Sequence, residues 1–133
     1  MVTALPALHD ESELLMMTAC TEVGSPEFTA LMQRYGSDYE AFLRDIAASG
    51  RTEKDQWQFQ MQTRVLRRIG QARLLLANDG LPLPTQRGLG VTPLAGEGDV
   101  VARAQRHLDA FVAARPGARV AVIPEGPYTM LRA

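Results

Sequence analysis

Three short apolar runs, separated by stretches with helical patterning, constrain this chain more than any other feature. They are Glu13-Leu14-Leu15-Met16-Met17-Thr18-Ala19, Ala72-Arg73-Leu74-Leu75-Leu76-Ala77 and Arg119-Val120-Ala121-Val122-Ile123. Each is continuously apolar rather than alternating, the pattern of a strand covered on both faces in a parallel sheet. The intervening segments read as helices. Ser25, Pro26 and Glu27 make a strong helix start, followed by Phe28, Leu31 and Met32 as an apolar stripe and Gly36 as a left-handed stop. Ser37 with Glu40 forms a capping box for a second helix, carrying Tyr39, Phe42, Leu43 and Ile46 and ending at Ser49-Gly50. Thr52 and Asp55 repeat the start signal for a third helix, with Trp57, Met61, Val65 and Ile69 spaced four apart and Gly70 as the stop. A fourth, over about 97–114, presents Val100, Val101, Ala104, Leu108, Phe111 and Val112 on one face.

Strands joined by helical crossovers predict an α/β chain: a short, mainly parallel sheet of about three strands with helices packed on its faces. Residues 1–12 lack periodicity and read as a loose leader. Residues 80–96, with Pro82, Pro84, Pro93, Gly88, Gly90 and Gly96, read as a loop in which Leu89 to Thr92 are briefly extended. Tyr128 to Ala133 read as a tail. A three-stranded sheet has two exposed edges, so the tail, the loop or a partner is expected to cover them.

The chain has 133 residues, the size of one domain. Its charge is nearly balanced, with 14 Lys plus Arg against 15 Asp plus Glu, which lacks the basic excess of a nucleic-acid binder. The balance is uneven along the chain: residues 1–50 carry eight acids and two bases, and residues 51–73 carry six bases and two acids. No apolar run reaches the roughly 20 residues that span a bilayer. The start has no basic and apolar signal region, so the cytoplasm is the default expectation.

Candidate chemistry is sparse. Gly88-Leu89-Gly90 lacks the third glycine and the preceding strand of a phosphate-cradling loop. His9 and His107 are the two histidines; neither has metal-ligand spacing, and both read better as surface residues. Cys20, the single cysteine, follows the first strand where open α/β sheets place ligands, but it has no obvious base and reads better as a small buried residue. Arg64, Arg67, Arg68 and Arg73 read as a solvated face before they read as an anion site. Glu125-Gly126 is accounted for by a turn that Pro124 and Pro127 dictate. Asp55-Gln56-Trp57-Gln58 stands apart, because one turn holds a carboxylate, amides and the single Trp. Composition alone favours capping and core packing there over recognition.

Three ordered stretches nevertheless give the chain a family likeness: Leu14 through Phe28 with its Gly24-Ser25-Pro26-Glu27-Phe28 helix start, Asp55-Gln56-Trp57-Gln58, and Val120 through Pro127. In these it resembles the C-terminal domain of the lactate racemase family, the nickel-pincer-nucleotide-dependent racemases and epimerases of 2-hydroxy acids. The likeness covers roughly residues 13–131 and implies part of a Rossmann-like domain. In the family a separate N-terminal domain holds the nickel-pincer nucleotide and moves the proton; those residues have no counterpart here. The resemblance therefore implies no catalytic, cofactor or metal residues in this chain. It places Trp57 as a wall of the substrate pocket, Gln56 as its neighbour, and Asp55 as the residue holding the turn. Asp10-Glu11-Ser12-Glu13 stands where the family has a helix and a Gly-Gly turn preceded by further strands. The implied function is a module that closes the substrate cleft, inactive alone and completed by a separately encoded N-terminal partner. A stand-alone binding module or truncated remnant, self-associating through its sheet edge as a homo-oligomer, and a small enzyme using Cys20 remain as alternatives. None of the three calls for nucleic acid or a membrane.

Overall fold

The structure is a computed structural model and describes residues 1–126 and Thr129. Its element order is β1 (Leu14–Thr18), α1 (Pro26–Tyr35), α2 (Tyr39–Ala48), α3 (Gln56–Ile69), β2 (Leu74–Asn78), α4 (Leu83–Arg87), β3 (Thr92–Pro93) and α5 (Val100–Ala114). The three strands form one open, all-parallel sheet in the order β1–β2–β3. β1 and β2 pair over five residues, from Leu14 opposite Leu74 to Thr18 opposite Asn78, as their matching apolar runs require. The α/β architecture expected from the sequence is the one observed.

The two faces of the sheet are covered unequally. Leu74 and Leu76, with Leu14 and Met16 beside them, face a core built from α1, α2 and α3, centred on Phe42, Phe59, Val65 and Leu66. Phe42 packs against Phe59 with ring centroids 4.7 Å apart and against Tyr35 edge-on at 5.5 Å. By the two-residue alternation of a strand, Leu15, Met17, Leu75 and Ala77 point the other way. There Leu75 and Ala77 are buried, α5 packs on β2 and β1, and Met17 stays 50% exposed. One helix thus covers a face that is wider than its own apolar stripe.

Several local expectations are corrected. The third strand is Thr92–Pro93, inside the segment read as a loop, whereas 119–123 forms no strand. Its apolar pattern is strand-like, but among the described residues its backbone pairs with nothing, and a strand without a ladder is not stable alone. The leader is not loose: Val2–Ala7 is a 3-10 turn, Ala4 and Leu8 are buried, and Arg68 donates to the Leu8 carbonyl (3.0 Å) and to Asp10 (2.8 Å). The cap of α2 is Asp38, which accepts from Ala41 N–H at 2.8 Å, one residue after the expected Ser37. Gly36 is right-handed rather than left-handed. It must be glycine for another reason, since a Cβ there would run into the carbonyl oxygen of Gly88. The expected tail and the end of the 13–131 likeness fall largely outside the described residues.

Candidate functional site

In an open parallel sheet the carboxyl ends of the strands are where ligands bind. Here that edge is built by the loop after β1, the Asn78-Asp79-Gly80 turn after β2, and the starts of the helices that follow. Asn78 organises it. Buried at the end of β2, its Nδ2 donates to the carbonyls of Thr18 and Cys20, both at 2.9 Å, and its Oδ1 accepts from Leu81 N–H at 2.6 Å. It thereby ties the end of β1 and the loop that follows it to the end of β2 and the turn after it. A Cβ on Gly80 would strike the Cys20 carbonyl, so the two loops meet backbone to backbone.

Arg103 fixes the other side. Its side chain is mostly buried and donates to the carbonyl of Leu94 (2.8 Å), the carbonyl of Gly98 (2.7 Å) and Asp79 Oδ1 (2.6 Å). The other Asp79 oxygen accepts from Val100 N–H at the start of α5. These two bonds hold the Asp79 carboxyl below the usual aspartate range, Arg103 contributing more, against a smaller opposing effect of desolvation. The start of α5 is therefore occupied by the chain's own carboxylates, Asp79 and Asp99.

α1 and α3 start together. Ser25 Oγ accepts from Phe28 N–H (3.1 Å), capping α1, and donates to Asp55 Oδ2 (2.5 Å). Asp55 precedes α3 in the left-handed region at φ 61°, and its carboxylate is turned toward Ser25 rather than capping its own helix. Lys54 reaches Glu27 at 3.2 Å across the same junction. Backbone hydrogen bonding in the first turn of α1, with Lys54 second, holds the Glu27 carboxyl below the usual range.

The residues singled out from the sequence fall as follows. Trp57 is on the first turn of α3 and 62% exposed, so it is not a core residue. Residues four apart on an α-helix drift by about 40° per step, so the Trp57-Met61-Val65-Ile69 line winds roughly 120° round α3. Only its far half, Val65 and Ile69, joins the buried side of α3 with Phe59, Gln62 and Leu66. Gln56, by contrast, is buried, and its Oε1 accepts from Glu53 N–H at 3.0 Å, closing the turn into α3. Asp55 holds the turn through Ser25. Cys20 is exposed, contrary to the buried role expected, because the loop ends are pinned by backbone carbonyls and leave its side chain outside the core; its Sγ lies 3.4 Å from Asn78 Nδ2. His9 is exposed, and His107 Nε2 meets Glu13 at 2.7 Å at the opposite end of β1. Arg64, Arg67, Arg68 and Arg73 are exposed, with Arg68 and Arg73 engaged by the leader.

Sequence reading missed Asn78 and Arg103. The first had a signal: a polar residue closing an otherwise wholly apolar strand. The second had one too, since Arg103 adjoins Ala104 on the stripe that faces the sheet. Two open grooves lie along the far side of α1. One, of about 400 Å³, is lined by Tyr35, Asp45, Arg51 and Gln56; the other, of about 420 Å³, by Glu27, Arg34 and Lys54. Trp57 lines neither. Among the described residues no group of three or more His, Cys, Asp or Glu could hold a metal ion, and no helix is long and apolar enough to cross a membrane. No protein-family model, no curated protein and no solved structure matches the chain.

Proposed function

We propose that this chain is a substrate-cleft-closing module of a 2-hydroxy acid racemase or epimerase, inactive alone and completed by a separate cytoplasmic protein carrying the nickel-pincer nucleotide. The observation that carries the reading is the placement of Trp57. Every Phe of this chain is buried or half-buried, yet its largest aromatic projects from a helix start that two side-chain hydrogen bonds hold in place. A rigid, exposed indole offers a broad apolar wall and one N–H donor at low entropic cost when a partner closes over it.

The start of α3 supports the same reading. No side chain caps it and its first turn holds no acid, so a carboxylate-bearing substrate meets no first-turn acid there, although the Gln56 and Gln58 N–H groups already donate to the Glu53 and Asp55 carbonyls. Trp57 forms the wall and Gln56 supports it from behind by fixing the Glu53–Gln56 turn. The chain's own described residues do not fit the nucleotide cofactor. His107 is engaged by Glu13 at the far end of the sheet, and His9 sits beside the leader turn. In this reading the hydride and proton chemistry belongs wholly to the partner, and this chain supplies shape and water exclusion.

Co-expression with a nickel-pincer-nucleotide-loaded N-terminal domain tests the proposal. A stable complex with cofactor-dependent racemisation of a 2-hydroxy acid supports it. Failure of the two proteins to associate in a pull-down removes it and leaves a stand-alone binding module.

A further inference from the structure

Among the described residues the sheet ends at β1, and its outer side meets no strand. Among the described residues, the backbone of β1 pairs only with β2. Five residues of open edge, without a proline or bulge, are a template for another strand. The chain also carries a strand without a ladder. Arg119–Ile123 is rich in β-branched residues and bounded by Pro116-Gly117 and Pro124. Its backbone pairs with nothing among the described residues, and Val122 is 84% exposed.

Three observations bring these two together. The first is position: α5 packs over β2 and β1, and Arg115, just past its end, reaches Glu13 at 3.4 Å, immediately before β1. The segment therefore starts four residues after a side chain anchored at the start of β1. The second is charge. Asp10, Glu11 and Glu13 lead into β1, Arg115 and Arg119 lead into the segment, and Glu22 and Glu125 lie past the two far ends. A parallel placement sets Arg119 among the acids; an antiparallel one sets Glu125 there. The third is handedness. α1 to α3 cross from β1 to β2 over one face; a return from β3 past β1 over the opposite face reverses both direction and face, and so keeps the same hand.

We propose that Arg119–Ile123 is a strap that closes on the outer edge of β1 as a fourth parallel strand of its own sheet, with Val120 beside Leu15 and Val122 beside Met17. In that register both valines extend the surface that faces α5 and cover half-exposed Met17. The turn at Arg115–Ala118, where Gly117 is left-handed, is the hinge. Glu125, two residues past the strap, then stands level with Cys20 at the carboxyl edge of the sheet. The Arg115–Glu13 contact already holds the strap near its edge, which gives an effective concentration on the order of millimolar. A second copy would have to exceed that to compete. The inference rests on topology and charge and does not depend on the proposed substrate.

Hydrogen exchange on the full chain and on Ala121→Pro tests the strap. Ala121 is exposed, so the substitution leaves the remaining fold intact and removes a ladder donor. The expected result is protection of at least tenfold at Ala121 and Ile123, whose amides face β1 in this register, and at the outward amides of β1, lost from both strands in A121P while β2 stays protected. Unprotected exchange at Ala121 and Ile123 in the unmodified chain overturns the proposal. A Cys20→Ser chain carrying Met17→Cys and Val122→Cys is expected to form its disulfide within one molecule. A covalent dimer would assign the edge to a second copy, and no disulfide would leave it open; either result overturns the strap.

Discussion

Ser25 and Asp55, thirty residues apart in sequence, share a 2.5 Å hydrogen bond that joins the starts of α1 and α3. Ser25 is a helix cap and a donor at once, and Asp55 accepts in a left-handed conformation that few non-glycine residues adopt. The junction fixes the helix turn on which Trp57 stands.

Ser25→Ala is expected to destabilise the chain by about 1 kcal/mol through the lost cap alone. Asp55→Ala loses its bond to Ser25 and also places alanine in the left-handed region, so its loss should be larger; Asp55→Asn, which tolerates that region, separates the two effects. A double-mutant cycle in urea should show a coupling of roughly 0.5–3 kcal/mol between the two positions. Strict additivity would mean that the two helix starts are held independently.

Asn78→Ala leaves the buried Leu81 N–H and the part-buried Thr18 and Cys20 carbonyls without a side-chain partner. The expected loss is about 2 kcal/mol or more, by the usual penalty for unsatisfied buried groups. Amide exchange should report it as faster opening of the 18–24 and 79–81 segments, with the Phe42–Phe59 core still protected.

Asp79 sets an acid limit. Its carboxyl is held below the usual range in the folded chain, so its contribution is present in full above about pH 4 and is lost as pH falls through the lower folded value. Arg103→Gln removes the larger cause. Urea midpoints measured from pH 6 down to pH 2 should therefore fall less steeply for R103Q than for the unmodified chain, from a lower starting point.

Much of this fold is legible in the sequence because two apolar runs and four helix signals agree with the sheet they build. Thr92–Pro93 is legible only as a brief extension reaching Thr92, because two residues within a Gly- and Pro-rich segment carry no periodicity. Val120 to Ile123 differ for the opposite reason: an apolar pattern reports what a segment could bury, and here the segment lies unpaired among the described residues. Ser37 and Asp38 both suit a cap, and only geometry chooses between them. At the site, Trp57 was legible as an unusual residue, but its exposure follows from the 40° drift along α3 and from Phe59 and Gln62 taking the buried stripe. The Ser25–Asp55 bond and the Asn78 clamp join residues distant in sequence, which no local pattern reveals.

Trp57 is exposed, so Trp57→Ala should change stability by no more than about 0.5 kcal/mol. Its effect on function is expected to be of another size. The decisive measurement is the rate of 2-hydroxy acid racemisation by the complex reconstituted with the cofactor-bearing N-terminal domain, compared between the unmodified chain and W57A. A loss of about tenfold or more, with the complex still intact by size-exclusion chromatography, is the predicted result, as expected when an apolar wall worth 1–3 kcal/mol is removed from a substrate pocket. An unchanged rate in an intact complex would contradict the claim that Trp57 borders the substrate.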